Sequence, residues 1–136
     1  MDKKSIKGTR TEVNLLKSFA GESQARGRYT IFAEVAREEG YEQIASIFME
    51  TAEQEFAHAK NFFSYLDEGM LEIQASYPAG PVGDTARNLA EAAAGEHEEW
   101  ADMYVEFARV AREEGFTAIA KLFENVAVVE QGHEAR

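Results

Sequence analysis

The sequence contains no cysteine and only two prolines. Without thiols the chain cannot form disulfides, zinc–thiolate sites or iron–sulfur clusters, so any metal must be bound through oxygen and nitrogen. Positive charge is also scarce, because 25 acidic residues outnumber 14 basic ones and the formal net charge is −11. A surface of that sign repels phosphate, which argues against nucleic-acid and membrane partners.

Long apolar runs are absent as well. No stretch approaches the roughly 20 apolar residues that span a bilayer, and residues 1–10 lack the apolar segment of a signal peptide. We therefore expect a cytoplasmic protein. A length of 136 residues, of which 45% are hydrophobic, suits a single domain over residues 1–136 with one core.

The sequence does contain an internal repeat at a constant offset of 75 residues. The turn sequence Ala-Arg-Glu-Glu-Gly, for example, occurs at residues 36–40 and again at 111–115. Apolar residues around it follow a helical period, which Gly40 and Gly115 end as left-handed caps would. Each copy is therefore predicted to be a helical hairpin, over about residues 11–67 and 84–136.

A connector at residues 69–83 separates the hairpins and holds both prolines. Two tight turns and one long connection predict an all-α four-helix bundle with a crossover between helices two and three. An extended segment of this length reaches roughly 50 Å, at about 3.3 Å per residue, which is enough to cross a bundle from end to end. The same reach would let two chains exchange hairpins, as in domain swapping.

The repeat carries one metal-ligand phrase twice, as Glu55-x-x-His58 and Glu130-x-x-His133. Residues i and i+3 share a helix face, so each pair can direct a carboxylate and an imidazole at one point in the core. Two facing pairs describe a two-metal site. By the repeat, helix four is also expected to extend further past His133 than the three residues that follow it here.

The other two helices can complete this site. Glu22 lies among small residues in helix one, and Glu96 and Glu99 have the i, i+3 spacing in helix three. Buried carboxylates cost several kcal/mol each when desolvated alone, and two divalent metals would nearly neutralise the five glutamates of this set. The predicted metal ligands are Glu22, Glu55, His58, Glu96, Glu99, Glu130 and His133.

Helix three breaks the symmetry of the repeat. The spacing from Glu22 to Tyr29 is seven residues, whereas that from Glu96 to Tyr104 is eight. Because an extra residue inside a helix is accommodated as a π-bulge, we predict one between Gly95 and Tyr104. Tyr29 and Tyr104 lie about two turns beyond the carboxylates on the same faces, and both are candidates to hydrogen-bond them.

Several nearby residues have simpler interpretations. A single Glu-x-x-His on an acidic helix is usually a surface pair, so the repetition carries the metal prediction. His97 adjoins predicted ligands but points about 100° away from each neighbour, which favours a position off the site. Four glutamates that precede the turn glycines are interpreted as solvated helix ends, namely Glu38, Glu39, Glu113 and Glu114. The aromatic residues predicted to form the core are Phe19, Phe32, Phe48, Phe62, Trp100, Phe107 and Phe123.

These motifs resemble the ferritin-like di-iron domain of the rubrerythrin family. The resemblance rests on residues 20–26, 55–60, 77–80, 95–99 and 130–134, and it covers essentially the whole chain. It implies two non-haem irons with oxo and carboxylate bridges, for which other divalent metals can substitute. In this family one iron is thought to move between Glu99 and His58 with the redox state, which gives these two residues catalytic roles.

The resemblance implies a peroxidase that reduces hydrogen peroxide to water in oxidative-stress defence. Two adjacent irons would supply one electron each, and Glu99 or another carboxylate would deliver a proton. Rubrerythrins usually carry a rubredoxin domain with four cysteines, and this sequence has none. Either that domain was lost or trimmed, or a separate donor protein does its work, and we expect an external electron donor such as rubredoxin.

Two other functions compete with the peroxidase. A ferroxidase of the iron-handling type would use the same residues to oxidise Fe(II), and a structural bundle with a degenerate site would bind no metal. The apolar positions that a lone four-helix unit would leave exposed favour a homodimer.

Overall fold

The structure is a computed structural model that describes residues 4–95 and 98–134, except for the side chains of residues 94, 95, 98–100 and 131–134. Over these residues the regular secondary structure is entirely helical. The helices are α1 (Arg10–Glu38), α2 (Glu42–Ser64), α3 (Thr85–Gly95), α4 (Glu98–Glu113) and α5 (Thr117–Glu134). α3 and α4 together cover the predicted third helix, on either side of residues 96 and 97. The all-α bundle with a long crossover is thus confirmed.

The two hairpin turns have the same conformation. Gly40 and Gly115 have φ values of +86° and +88°, in the left-handed region where a Cβ atom is disfavoured. In each turn the next backbone N–H bonds back to the carbonyl five residues earlier, at 2.8 Å in both cases. This is the Schellman arrangement that ends a helix and reverses the chain.

The connector runs beside α1 from one end of that helix to the other. At its start, the Glu68 carbonyl accepts a hydrogen bond from the Lys7 ammonium at 2.7 Å. Further along, the Tyr77 hydroxyl donates to the Lys17 carbonyl at 3.1 Å. The connector then delivers the start of α3 to Glu39, next to the C-terminal end of α1. It therefore spans the bundle as the crossover topology requires.

The apolar core has one cluster at each end of the bundle. The first includes Leu15, Phe62, Ala108 and Phe123, and so joins α1, α2, α4 and α5. The second is formed by α1 and α2, and it includes Ala25, Tyr29, Phe32, Ala45, Phe48 and Ala52. Of the predicted core aromatics, Phe19 and Phe107 are only partly buried, and the Trp100 side chain lies outside the described part. Glu22 and Glu55 fall between the two clusters along their helices.

Each hairpin caps the first helix of the other hairpin through a turn glutamate. The Glu114 carboxylate accepts the Thr11 backbone N–H at 2.9 Å, the Thr11 hydroxyl at 2.5 Å and the Arg10 backbone N–H at 3.2 Å. The Glu39 carboxylate accepts the backbone N–H of Thr85 at 2.8 Å and also its hydroxyl. These N–H groups have no partner inside their own helices. Glu39 is exposed, as a solvated helix end would be, but it also caps α3. Glu114 is half-buried and caps α1, so its interpretation as a solvated helix end is wrong.

These caps tie the hairpins together electrostatically. Although burial opposes it, the hydrogen bonds from Thr11 and Arg10 lower the pKa of Glu114 below its usual value. A carboxylate at a helix N-terminus also interacts favourably with the helix dipole. The predicted π-bulge falls partly on residues 96 and 97, outside the described residues. It stays a prediction, as do the single domain and the exchange of hairpins.

Replacing Glu39 by alanine tests the cap. We expect Glu39→Ala to lower the free energy of unfolding by about 1 kcal/mol, the usual loss when a helix cap is removed. Glu38→Ala is the matched control, because Glu38 is the exposed neighbour in the same turn sequence and should change stability by less than about 0.5 kcal/mol. Urea denaturation measures both values, and equal losses in the two variants would contradict the cap.

Candidate metal centre

Four predicted ligands converge between the two apolar clusters. Glu22 comes from α1, Glu55 and His58 from α2, and Glu130 from α5. Each offers one ligand atom, and these atoms all lie within 4.8 Å of one another. The three glutamates are only 2% to 6% exposed. Helices from both hairpins therefore enclose the cluster.

Local sequence explains how these side chains meet. Glu55 and His58 are three residues apart in α2 and so share a face. On α1, Gly21 and Ala25 are buried on either side of Glu22, and such small residues let a facing helix approach closely. α5 supplies Glu130 from the end of the helix that packs against the first hairpin through Phe123.

The distances within the cluster suit a cation better than direct hydrogen bonding. His58 Nδ1 lies 3.7 Å from a Glu22 oxygen and 3.8 Å from a Glu130 oxygen, beyond hydrogen-bond range. Among the described residues, neither His58 Nδ1 nor Glu22 Oε2 has a hydrogen-bond partner, although both atoms are buried. Buried polar atoms in native proteins are normally satisfied. These two atoms therefore fit metal ligands.

Tyr104 orients one of the carboxylates. Its hydroxyl donates to Glu22 Oε1 at 2.7 Å, and the side chain is almost fully buried. Burial raises the pKa of Tyr104 well above its usual value, and the negative charge of Glu22 adds to this effect. The phenol therefore stays protonated and acts as a donor. Its bond leaves the other Glu22 oxygen available for a metal.

Of the remaining predicted site residues, the structure describes the side chain of Tyr29 only. Tyr29 is buried and its ring packs against Phe48 at a centroid distance of 6.2 Å. Glu96 and His97 lie outside the described residues, and the side chains of Glu99 and His133 do as well. The described cluster contains no residue that the sequence had not singled out.

Comparison with known proteins shows the family of this chain. A family model described as rubrerythrin matches residues 13–136. The rubrerythrin of Porphyromonas gingivalis is 65% identical over 98% of the chain, and that of Nitratidesulfovibrio vulgaris is 55% identical over 98%. The chain belongs to the rubrerythrin family. It spans 66% and 70% of the lengths of these two relatives.

Solved structures support the same assignment. Nigerythrin in a mixed-valence state aligns with a TM-score of 0.79 and 33% identity, covering 97% of this chain and 68% of that one. The fully reduced, all-ferrous state of nigerythrin aligns with a TM-score of 0.75 and 31% identity, with the same coverage. The ferritin-like fold is thereby confirmed. Rubrerythrins are di-iron proteins, and the cluster supplies the oxygen and nitrogen donors that such a centre takes.

In the described part of the chain, no helix is both long enough and apolar enough to cross a bilayer. The cytoplasmic location stays a prediction.

Removing one carboxylate from the cluster should raise the stability of the metal-free protein and reduce the stabilisation that metal provides. Glu55→Gln removes a negative charge that two others repel, so we expect the metal-free protein to gain about 1 to 3 kcal/mol of stability. Metal should then stabilise the variant less than it stabilises the original chain, because stabilisation by a ligand follows its affinity. Thermal unfolding with and without Fe(II), under anaerobic conditions, measures both effects.

The control for this prediction is Glu53→Gln, which removes an exposed glutamate from the same helix. It should change neither the stability of the metal-free protein nor the stabilisation by metal appreciably. If Glu55→Gln destabilised the metal-free protein and left the metal-induced shift intact, Glu55 would be a structural residue and not a ligand.

Removing the Tyr104 hydroxyl tests the orientation of Glu22. We expect Tyr104→Phe to weaken metal binding about 10- to 100-fold, the usual effect of losing a hydrogen bond to a ligand. Tyr77→Phe is the matched control, because the Tyr77 hydroxyl bonds to a backbone carbonyl. Titration with Co(II), followed by its visible absorbance, gives both affinities, and equal affinities would exclude the orienting role.

Proposed function

We propose that this chain is the catalytic part of a di-iron peroxidase, which reduces hydrogen peroxide to water with electrons from an external rubredoxin-like donor. The supporting observation is the buried cluster of three carboxylates and one imidazole, whose ligand atoms lie within 4.8 Å of one another. Two non-haem irons would be its metals. The proposed ligands are those predicted from the sequence, namely Glu22, Glu55, His58, Glu96, Glu99, Glu130 and His133.

The charge of the cluster supports two metals. Three ionised carboxylates so close together repel one another by about 3 to 4 kcal/mol per pair at an effective dielectric constant near 20. Two divalent cations would exceed the charge of these three carboxylates by one unit, and with Glu96 and Glu99 the full set of ligands and metals would carry a net charge of only −1. This set of residues is consistent with two cations and has no evident role without them.

When bound, the irons supply the two electrons that hydrogen peroxide takes up, one from each metal. The surrounding side chains perform the other tasks. Tyr104 holds Glu22 in place through its 2.7 Å hydrogen bond. The apolar clusters on both sides limit the access of water, which strengthens the electrostatic interactions inside. Proton delivery to the leaving oxygen falls to a carboxylate, for which we propose Glu99.

We also propose that the chain forms a homodimer. Val105 on α4 and Val128 on α5 are 54% and 67% exposed, and apolar residues so exposed are often covered by a partner. This assignment is separate from the chemistry of the site.

Stopped-flow absorbance tests the peroxidase. The anaerobically reduced, iron-loaded protein is mixed with one equivalent of hydrogen peroxide, and separately with oxygen. We expect the diferric spectrum to form at least about tenfold faster with peroxide, a difference of about 1.4 kcal/mol in barrier height. Glu130→Gln should slow this reaction, because it removes a proposed ligand.

Glu124→Gln is the matched control on the same helix. Glu124 is an exposed residue that pairs with Arg112, so its replacement should leave the rate unchanged. A faster reaction with oxygen would overturn the peroxidase and indicate a ferroxidase. No spectral change with either oxidant would exclude both activities.

A further inference from the structure

Aromatic and cationic side chains, four exposed and one partly buried, line the groove between α1 and α2. Cζ of Arg26 lies 4.4 Å from the centre of the Phe56 ring, and the Lys60 ammonium lies 5.2 Å from the same centre. Further along the groove, the Phe19 and Phe63 rings are 4.8 Å apart. Phe56 and Phe63 are 42% and 55% exposed. These five residues are named the Phe56 stripe below.

The stripe is a positive region on a negative protein. Segments 17–33 and 54–66 contain four basic residues and only two carboxylates, both of them buried, whereas the whole chain carries a net charge of −11. Among the described residues, no carboxylate forms an ion pair with Arg26 or Lys60. Their charges are therefore available at the surface, and the exposed Phe56 ring lies against both of them.

The internal repeat shows that neither the fold nor the metal phrase requires this stripe. At the offset of 75 residues, Arg26 corresponds to Ala101, Phe56 to Gln131, and Lys60 to Ala135. The Glu-x-x-His phrase is kept in both copies over the same interval. The second hairpin therefore lacks these three residues of the stripe, which indicates a role for them outside the hairpin itself.

The stripe lies directly outside the metal cluster. Phe56 follows Glu55 in α2, Lys60 is two residues past His58, and Arg26 is one turn past Glu22 in α1. The inner faces of these two helices carry the cluster, and their outer groove carries the stripe. A molecule bound in the groove would be separated from the cluster by the thickness of the helix pair alone.

We propose that the Phe56 stripe is the docking site of a small, acidic electron-transfer protein of the rubredoxin kind. This inference rests on the proposed function, which needs such a donor. Two reduced donors each lose one electron, and together with two protons from solvent these electrons convert one hydrogen peroxide into two waters. Complementary charge speeds encounter and fixes orientation, and exposed aromatic side chains with arginine are typical anchors of an interface.

Binding of an oxidised rubredoxin with net negative charge tests the site without any turnover. We expect Arg26→Glu/Lys60→Glu to weaken binding at least about tenfold at low ionic strength, and we expect high salt to reduce the difference, because salt screens exposed charges. The matched control is Arg87→Glu/Lys121→Glu, which changes the net charge equally at two exposed positions outside the stripe. NMR titration of labelled rubredoxin gives the dissociation constants.

Electron transfer supplies the second measurement. The double variant should be re-reduced at least about tenfold more slowly by rubredoxin, whereas reduction by dithionite and oxidation by peroxide should keep their original rates. Equal loss in both double variants would show a general charge effect and overturn the proposal. A changed sedimentation coefficient confined to the Arg26→Glu/Lys60→Glu variant would also overturn it, since the stripe would then join two copies of this chain.

The two proposals can fail separately. If peroxide did not oxidise the reduced protein, the proposed peroxidase function would be wrong. The binding measurement would still decide whether the Phe56 stripe binds an acidic donor. If peroxide oxidation were fast and rubredoxin bound the Arg26→Glu/Lys60→Glu variant as tightly as the original chain, only the docking site would fall.

Discussion

Buried negative charge is the constraint on which the rest of this structure depends. Three carboxylates and an imidazole meet within 4.8 Å in the core, and the pairwise repulsion of the carboxylates alone is on the order of 10 kcal/mol at an effective dielectric constant near 20. That is comparable to the whole stability of a typical domain, about 5 to 15 kcal/mol. Compensating positive charge and strong packing on both sides of the cluster offset this repulsion.

The packing that opposes this repulsion is placed at the two ends of the bundle. One apolar cluster joins both hairpins, and the reciprocal bonds of Glu39 and Glu114 to the opposite hairpin's first helix fix the ends in register. The cluster draws ligands from both hairpins, so its geometry depends on how they are held together. The packing at the two ends of the bundle therefore affects the geometry of the ligand cluster between them.

The sequence predicted what depends on local pattern. Helical period and turn chemistry located the hairpins, and the repeated Glu-x-x-His singled out the residues that meet in the core. The roles of Glu39 and Glu114 were missed because their partners lie 46 and 103 residues away. The sequence around a turn glutamate does not indicate which distant helix end tertiary packing will place beside it. The Phe56 stripe was missed for the same reason, because its cations and aromatic rings come from two different helices.

Comparing the two copies of the repeat distinguishes residues that the hairpin or the metal cluster needs from residues that serve contacts outside the hairpin. Positions that match between the copies, such as Gly40 with Gly115 and Glu55 with Glu130, serve a turn or the cluster, where both hairpins meet the same physical demand. Positions that differ at the surface face different surroundings. Arg26 and Lys60 have no equivalent in the second copy, although each leaves an unbalanced charge beside the most negative part of the core. Attraction to that buried charge alone would favour cations on both hairpins, so their restriction to one face follows more simply from a partner that approaches from that side.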